Sequence, residues 1–143
     1  MRFLYKLSLI LFVFAGAALA ISSNINEKLN NLPVNSHSIN RQSDKDKLTK
    51  LKKAIDAQIG KPKAKRSAQC RVIAFGAKPC GGPRTYLVYS TLKTNESKLE
   101  RLVNEYNSLE DKYNKENDLA SDCMMVTEPE VALHNGMCKI KGN

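Results

Sequence analysis

Val131-Ala132-Leu133-His134-Asn135-Gly136-Met137-Cys138-Lys139-Ile140 is the stretch whose reading decides the fold. Asn-Gly tolerates positive φ at both central positions of a two-residue type I′ turn, so the flanking apolar runs predict an antiparallel hairpin. The turn also dictates the register: His134 faces Met137, Leu133 faces Cys138 and Val131 faces Ile140. Val131, Leu133, Cys138 and Ile140 then share one side, and that side is uniformly apolar, as a core-facing side must be. Pro129 marks the start or bend of the first hairpin strand, after a short extended run at Met124 to Val126.

Upstream of the hairpin, Leu99, Leu102, Val103, Tyr106, Leu109 and Tyr113 recur at helical spacing, with Glu100, Glu105, Asp111, Lys112 and Lys115 mostly on the opposite side. The pattern predicts an amphipathic helix over 95–117, capped by Thr94 or Asn95 and covering one apolar face. Before it, Cys70 to Phe75 and Thr85 to Ser90 have the β-branched and aromatic character of strands. Between them Lys78-Pro79-Cys80-Gly81-Gly82-Pro83-Arg84 holds two prolines and two glycines in seven residues, which excludes helix and regular strand. The expected architecture is a small disulfide-stapled α+β domain over 67–143: an antiparallel sheet of three to five short strands with one long amphipathic helix packed on it.

Residues 1–20 read as an export signal. Arg2 and Lys6 precede an apolar run from Leu7 to Phe14, and Ala18-Leu19-Ala20 has the small-x-small pattern that precedes cleavage. The run is shorter than the roughly 20 residues a membrane span requires. Cleavage after Ala20 and a secreted or periplasmic location are therefore expected. Four cysteines in that compartment read as two disulfides and allow three connectivities. A helix returning across the strand at 85–90 favours Cys80–Cys123 with Cys70–Cys138, and Cys70–Cys80 with Cys123–Cys138 is the next alternative. Each long loop closed this way is worth roughly 4 kcal/mol in the chain-entropy picture. No cysteine pair has the short spacing of a zinc site, and the chain has 2 histidines, so no metal or other cofactor is expected.

The net charge of +9 is unevenly placed. Residues 21–66 hold eleven Lys and Arg against four Asp and Glu, whereas residues 67–143 hold ten of each. The basic part therefore reads as an appendage: a disordered tether over 21–66 with a short amphipathic helix at about 44–59, where Ser43 caps, Asp44 and Asp46 suit the first turn, and Leu48, Leu51, Ile55 and Ile59 form the stripe. Lys61-Pro62-Lys63-Ala64-Lys65-Arg66 reads as an exposed linker open to dibasic processing. An exported chain excludes nucleic acid as the meaning of this charge. Weak contact with an anionic membrane or polyanion through residues 43–66 is the alternative.

No pattern of catalytic chemistry stands out. His134 lies beside the hairpin turn, away from the core side, with no nucleophile or orienting carboxylate singled out. Asn95-Glu96-Ser97 has the form of a glycosylation acceptor, but its place at a helix start equally makes Asn95 a cap. The best recognition candidate is the loop carrying Gly81, Gly82, Pro83, Arg84 and Tyr86, pinned by Cys80 and stiffened by proline.

The run Cys70-Arg71-Val72-Ile73-Ala74-Phe75-Gly76 with Lys78-Pro79-Cys80-Gly81-Gly82-Pro83-Arg84-Thr85-Tyr86-Leu87-Val88-Tyr89-Ser90 resembles small uncharacterised exported bacterial proteins. Those proteins place a Cys-Gly-Gly-Pro core before a helix and a Cys-containing hairpin. The resemblance covers about residues 70–138 and implies a bacterial periplasmic or extracellular setting and one compact domain, without an activity. The expected function is a binding or inhibitor-like domain recognising a protein or polymer partner outside the cytoplasm. A toxin-like or antimicrobial effector acting on anionic membranes is the alternative, and a hydrolase is third.

Overall fold

The structure is a computed structural model and describes residues 36–142. The expected signal peptide and residues 21–35 lie outside the described residues. In chain order the elements are helix α1 (Ser36–Ile59), a 3₁₀ turn (Ser67–Gln69), strands β1 (Cys70–Phe75) and β2 (Thr85–Ser90), helix α2 (Glu96–Glu116), and strands β3 (Val131–His134) and β4 (Met137–Ile140). The class is α+β with two disulfides, Cys70–Cys138 and Cys80–Cys123.

The strands form two antiparallel ribbons, β1–β2 and β3–β4, instead of a single sheet of three to five strands. In the second ribbon Asn135 and Gly136 have φ of 48° and 73°, the left-handed values that a type I′ turn requires. His134 pairs with Met137, Leu133 with Cys138 and Val131 with Ile140. In the first ribbon Cys70 lies across from Ser90 and Phe75 across from Thr85. The ribbons meet through side chains and the Cys70–Cys138 disulfide, not through backbone pairing, around buried Ala64, Cys70 and Cys138 with Val88, Val131 and Leu133 packed against them. This is why one continuous sheet does not form.

The larger core lies between the helices and the other side of β1–β2. Ile55, Phe75, Tyr89, Leu99, Val103 and Tyr106 are buried there, with Leu48, Leu51, Ile59, Ile73, Leu87 and Leu102 against them. Asn95 caps α2 by accepting from the Lys98 N–H at 2.9 Å.

The basic segment departs most from the sequence reading. The expected short helix on a tether is a 24-residue helix whose stripe belongs to the core, and Ile55 is fully buried. Because α1 begins at Ser36, Asp44 sits about two turns inside it instead of in its first turn. Its side chain is 2% exposed and meets Lys112 of α2 at 3.0 Å and Lys47 at 3.4 Å, an ionic tie between the helices.

Gly60, at φ +53°, ends α1. The following stretch, expected as an open linker, is docked instead: the Cys138 N–H donates to the Pro62 carbonyl at 2.9 Å and the Ala64 N–H donates to the Gly136 carbonyl at 3.0 Å, placing Lys63 across from Met137. The alternation of small and basic residues suits this edge, because Ala64 turns into the core while the charged side chains stay in water. The domain therefore extends back through α1.

Two outcomes follow from α1. Ile55→Ala should lower the free energy of unfolding by about 2–5 kcal/mol in urea titrations, a loss that a solvated tether would not produce. The hydrogen bond and charge of Lys112 hold the Asp44 carboxyl below its ordinary value of 3.8. The ionised form thus favours the folded state at neutral pH, and this contribution fades as pH falls through the range where first the unfolded and then the folded carboxyl takes up a proton. In acid unfolding followed by circular dichroism, Asp44→Asn should flatten the stability loss below about pH 4.

Candidate recognition loop and cleft

The Cys-Gly-Gly-Pro loop is held from beneath by three polar side chains on the inner face of α2. Asn107 Oδ1 accepts from the Gly76 N–H at 2.7 Å and its Nδ2 donates to the Ala74 carbonyl at 3.3 Å. Glu110 Oε2 accepts from the Ala77 N–H at 2.7 Å, and Asn114 Nδ2 donates to the Ala77 carbonyl at 2.8 Å. The spacing of three and four puts these residues on successive turns of one face. The end of β1 is thereby fixed to a helix that precedes neither strand.

Gly76 is required where the loop leaves β1. Its φ is +80°, and a Cβ there would stand 2.9 Å from both Arg84 Cβ and Glu110 Oε2. Glu110 takes a second set of partners on its other oxygen: Oε1 lies 2.9 Å from the Arg84 guanidinium and accepts from Tyr106 Oη at 3.3 Å. Arg84 also donates to Tyr106 Oη at 3.2 Å and lies over the Phe75 ring, 6.0 Å from its centroid. Phe75 stacks on Tyr106 with centroids 4.4 Å apart. Burial, ahead of the charged neighbours, pushes the Tyr106 phenol above its ordinary pKa, so it serves as a neutral donor and acceptor.

The loop tip is stiffened by its own bonds. The Gly81 N–H donates to the Lys78 carbonyl at 2.8 Å and the Lys78 N–H donates to the Gly82 carbonyl at 3.0 Å. Cys80, Gly81 and Gly82 are exposed, while Pro83 and Tyr86 are half-buried. Of the residues singled out in the sequence, Arg84 behaves differently from expectation. It is half-exposed, but its guanidinium is committed to Glu110 and Tyr106, which makes it a brace of the loop.

Across from the loop runs an irregular strap, residues 119–130, between α2 and β3. The short run expected at Met124 to Val126 pairs with no strand. The strap is fastened by the Cys80–Cys123 disulfide, by the Lys78–Asp122 ion pair, and by Lys78 Nζ donating to the Met124 carbonyl at 2.8 Å. Loop and strap bound an open cleft of about 800 Å³. Glu110 and Asn114 line it, and Leu119, Met124 and Met125 border it with side chains in water. Met124 is 73% exposed and Met125 94%. The sequence signal for this rim is two adjacent methionines with no partner in any periodic stripe.

His134 is exposed on the hairpin turn, with Nε2 3.2 Å from the Asn135 side-chain amide. Among the described residues no group of three or more His, Cys, Asp or Glu is placed to hold a metal, and no helix is long and apolar enough to cross a membrane. The two disulfides suit an oxidising extracellular environment. No protein-family model, curated protein or solved structure matches the chain.

Glu110→Ala would leave the Ala77 N–H without its acceptor and the Arg84 guanidinium without its carboxylate. It should cost about 2–3 kcal/mol of stability. Amide hydrogen exchange should show the loss of protection beginning at Ala77, ahead of β3 and β4.

Proposed function

We propose that the chain is an exported binding domain that recognises a protein partner outside the cytoplasm, taking an extended apolar segment into the cleft between the Cys80–Pro83 loop and the 119–130 strap. The observation that carries this reading is the placement of exposed apolar side chains. Of the five large hydrophobic residues left exposed among the described residues, Ile39, Leu92, Leu119, Met124 and Met125, three border this one cleft. Exposed apolar side chains scattered singly need no explanation, whereas a cluster beside a concavity marks a site of contact. Methionine suits the role because its unbranched, polarisable side chain adapts to different partner surfaces.

Pre-organisation adds support. Both walls are tied to one disulfide, and the loop backbone is bonded to α2, so little conformational freedom remains to be lost on binding. The cleft volume lies within the ordinary range of ligand sites. The cleft's cations, Lys78 and Arg84, are already paired with Asp122 and Glu110, which favours an apolar segment over an anionic small molecule. A membrane-active reading of residues 43–66 has less support, because Leu48, Leu51, Ile55 and Ile59, the side chains such a helix would insert, pack into the core.

The test is affinity capture from the native medium with the oxidised chain, beside a Met124→Ser/Met125→Ser variant. The wild type should retain a protein that the variant loses, with affinity lowered at least about tenfold, since each methionine buried at an interface contributes about 1.5–3 kcal/mol. Equal capture by both chains would rule out the methionine rim as the contact.

A further inference from the structure

The cations among the described residues differ in whether a carboxylate meets them. Lys47, Lys52, Lys78, Arg84, Lys112, Lys115 and Lys141 each meet a carboxylate. Lys61, Lys63, Lys65, Arg66 and Lys139 meet none among the described residues, and all five are exposed. The local sequence offers the first four no counter-charge: between Asp56 and Glu96 there are eight Lys and Arg and not one Asp or Glu. The unpaired lysines of α1 stand differently, since Lys45, Lys50 and Lys53 share their helix with Asp46 and Asp56.

These five side chains also ride on a fixed backbone. Pro62 is bonded to Cys138 of β4 and Ala64 to Gly136 of the hairpin turn, and the Lys65 and Arg66 N–H groups both donate to Gln69 Oε1, at 2.8 and 3.1 Å. Cys70, just beyond, is cross-linked to Cys138. Lys63 lies across from Met137, and Lys139, two residues further along β4, falls on the same side of the strand as Met137. Ala64 and Cys138 occupy the opposite, buried side. The result is a rigid basic ridge along the outer edge of the hairpin, where none of the five cations is held in an ion pair among the described residues.

We infer that this ridge is a second binding surface, separate from the cleft, and that it takes a linear polyanion: a flexible polymer carrying sulfate, phosphate or carboxylate groups at regular intervals. A row of fixed cations releases condensed counterions when such a chain lies along it, which makes the contact strong at low salt and steeply salt-dependent. A bilayer is a poorer occupant. None of the exposed large apolar residues, Ile39, Leu92, Leu119, Met124 and Met125, belongs to the ridge, so a membrane would gain charge attraction without insertion.

The probe is fluorescently labelled dextran sulfate, titrated with the full oxidised chain at about 50 and about 200 mM salt. Two triple variants remove equal charge: Lys61→Gln/Lys63→Gln/Lys65→Gln from the ridge and Lys45→Gln/Lys50→Gln/Lys53→Gln from α1. The ridge variant should bind at least about tenfold more weakly, with a shallower salt dependence, while the α1 variant stays within about twofold of the wild type. Thermal unfolding of both variants checks that the fold is intact, and Lys139→Gln alone gives a milder version of the same loss. Unchanged affinity in the ridge variant, an equal loss in the α1 variant, or tighter binding to phosphatidylglycerol vesicles than to dextran sulfate would overturn the inference.

Discussion

The carboxylate of Glu110 is the interaction on which the rest of the site depends. A charge buried to this degree persists only when its lone pairs are filled, and here the Ala77 N–H, the Arg84 guanidinium and the Tyr106 hydroxyl fill them. Those three partners come from the end of β1, the start of β2 and α2 itself. One side chain thus fixes the spacing between both strands and the helix at the point where the Cys-Gly-Gly-Pro loop begins. The close approach at Gly76 is a result of the same contact, because the carboxylate occupies the space a side chain would need.

The hairpin and α2 were legible because each rests on a local rule. Asn135-Gly136 admits few alternatives to a type I′ turn, and the stripe from Leu99 to Tyr113 has an unmistakable period. The polar half of α2 was not legible. Asn107, Glu110 and Asn114 stand outside the apolar stripe, and nothing in a single sequence distinguishes a carboxylate facing water from one facing a loop that arrives from thirty-odd residues upstream. Position offered a clue: Glu110 and Asn114 continue the spacing of Leu99, Val103 and Tyr106, so the buried face extends past Tyr106, its last buried apolar residue.

The N-terminal boundary was obscured by charge. Lysines around Leu48, Leu51, Ile55 and Ile59 lower the mean hydropathy of α1, yet four well-spaced apolar residues suffice to seat a helix when the opposite face is free to carry any number of cations. Lys61 to Arg66 misled for a related reason. Proline and alternating lysines are the marks of a linker, and they are equally the marks of a protected sheet edge. Only the partner strand tells these apart, and β4 lies more than seventy residues downstream.

The Cys70–Cys138 cross-link has a mechanical consequence. A pull applied between the two ends of the domain travels along α1, through the docked stretch at 61–70, across the disulfide and out through β4. Residues 71–137, which include the loop, the strap and the cleft, sit on a covalently shunted circuit and bear no tension. α1 can be peeled away by drawing Ile55 out of the core, and the stretch after it by breaking its bonds to the hairpin. If the domain were held by a surface at one end and by a bound polymer or partner at the other, strain would register in the helix while the recognition surface kept its shape.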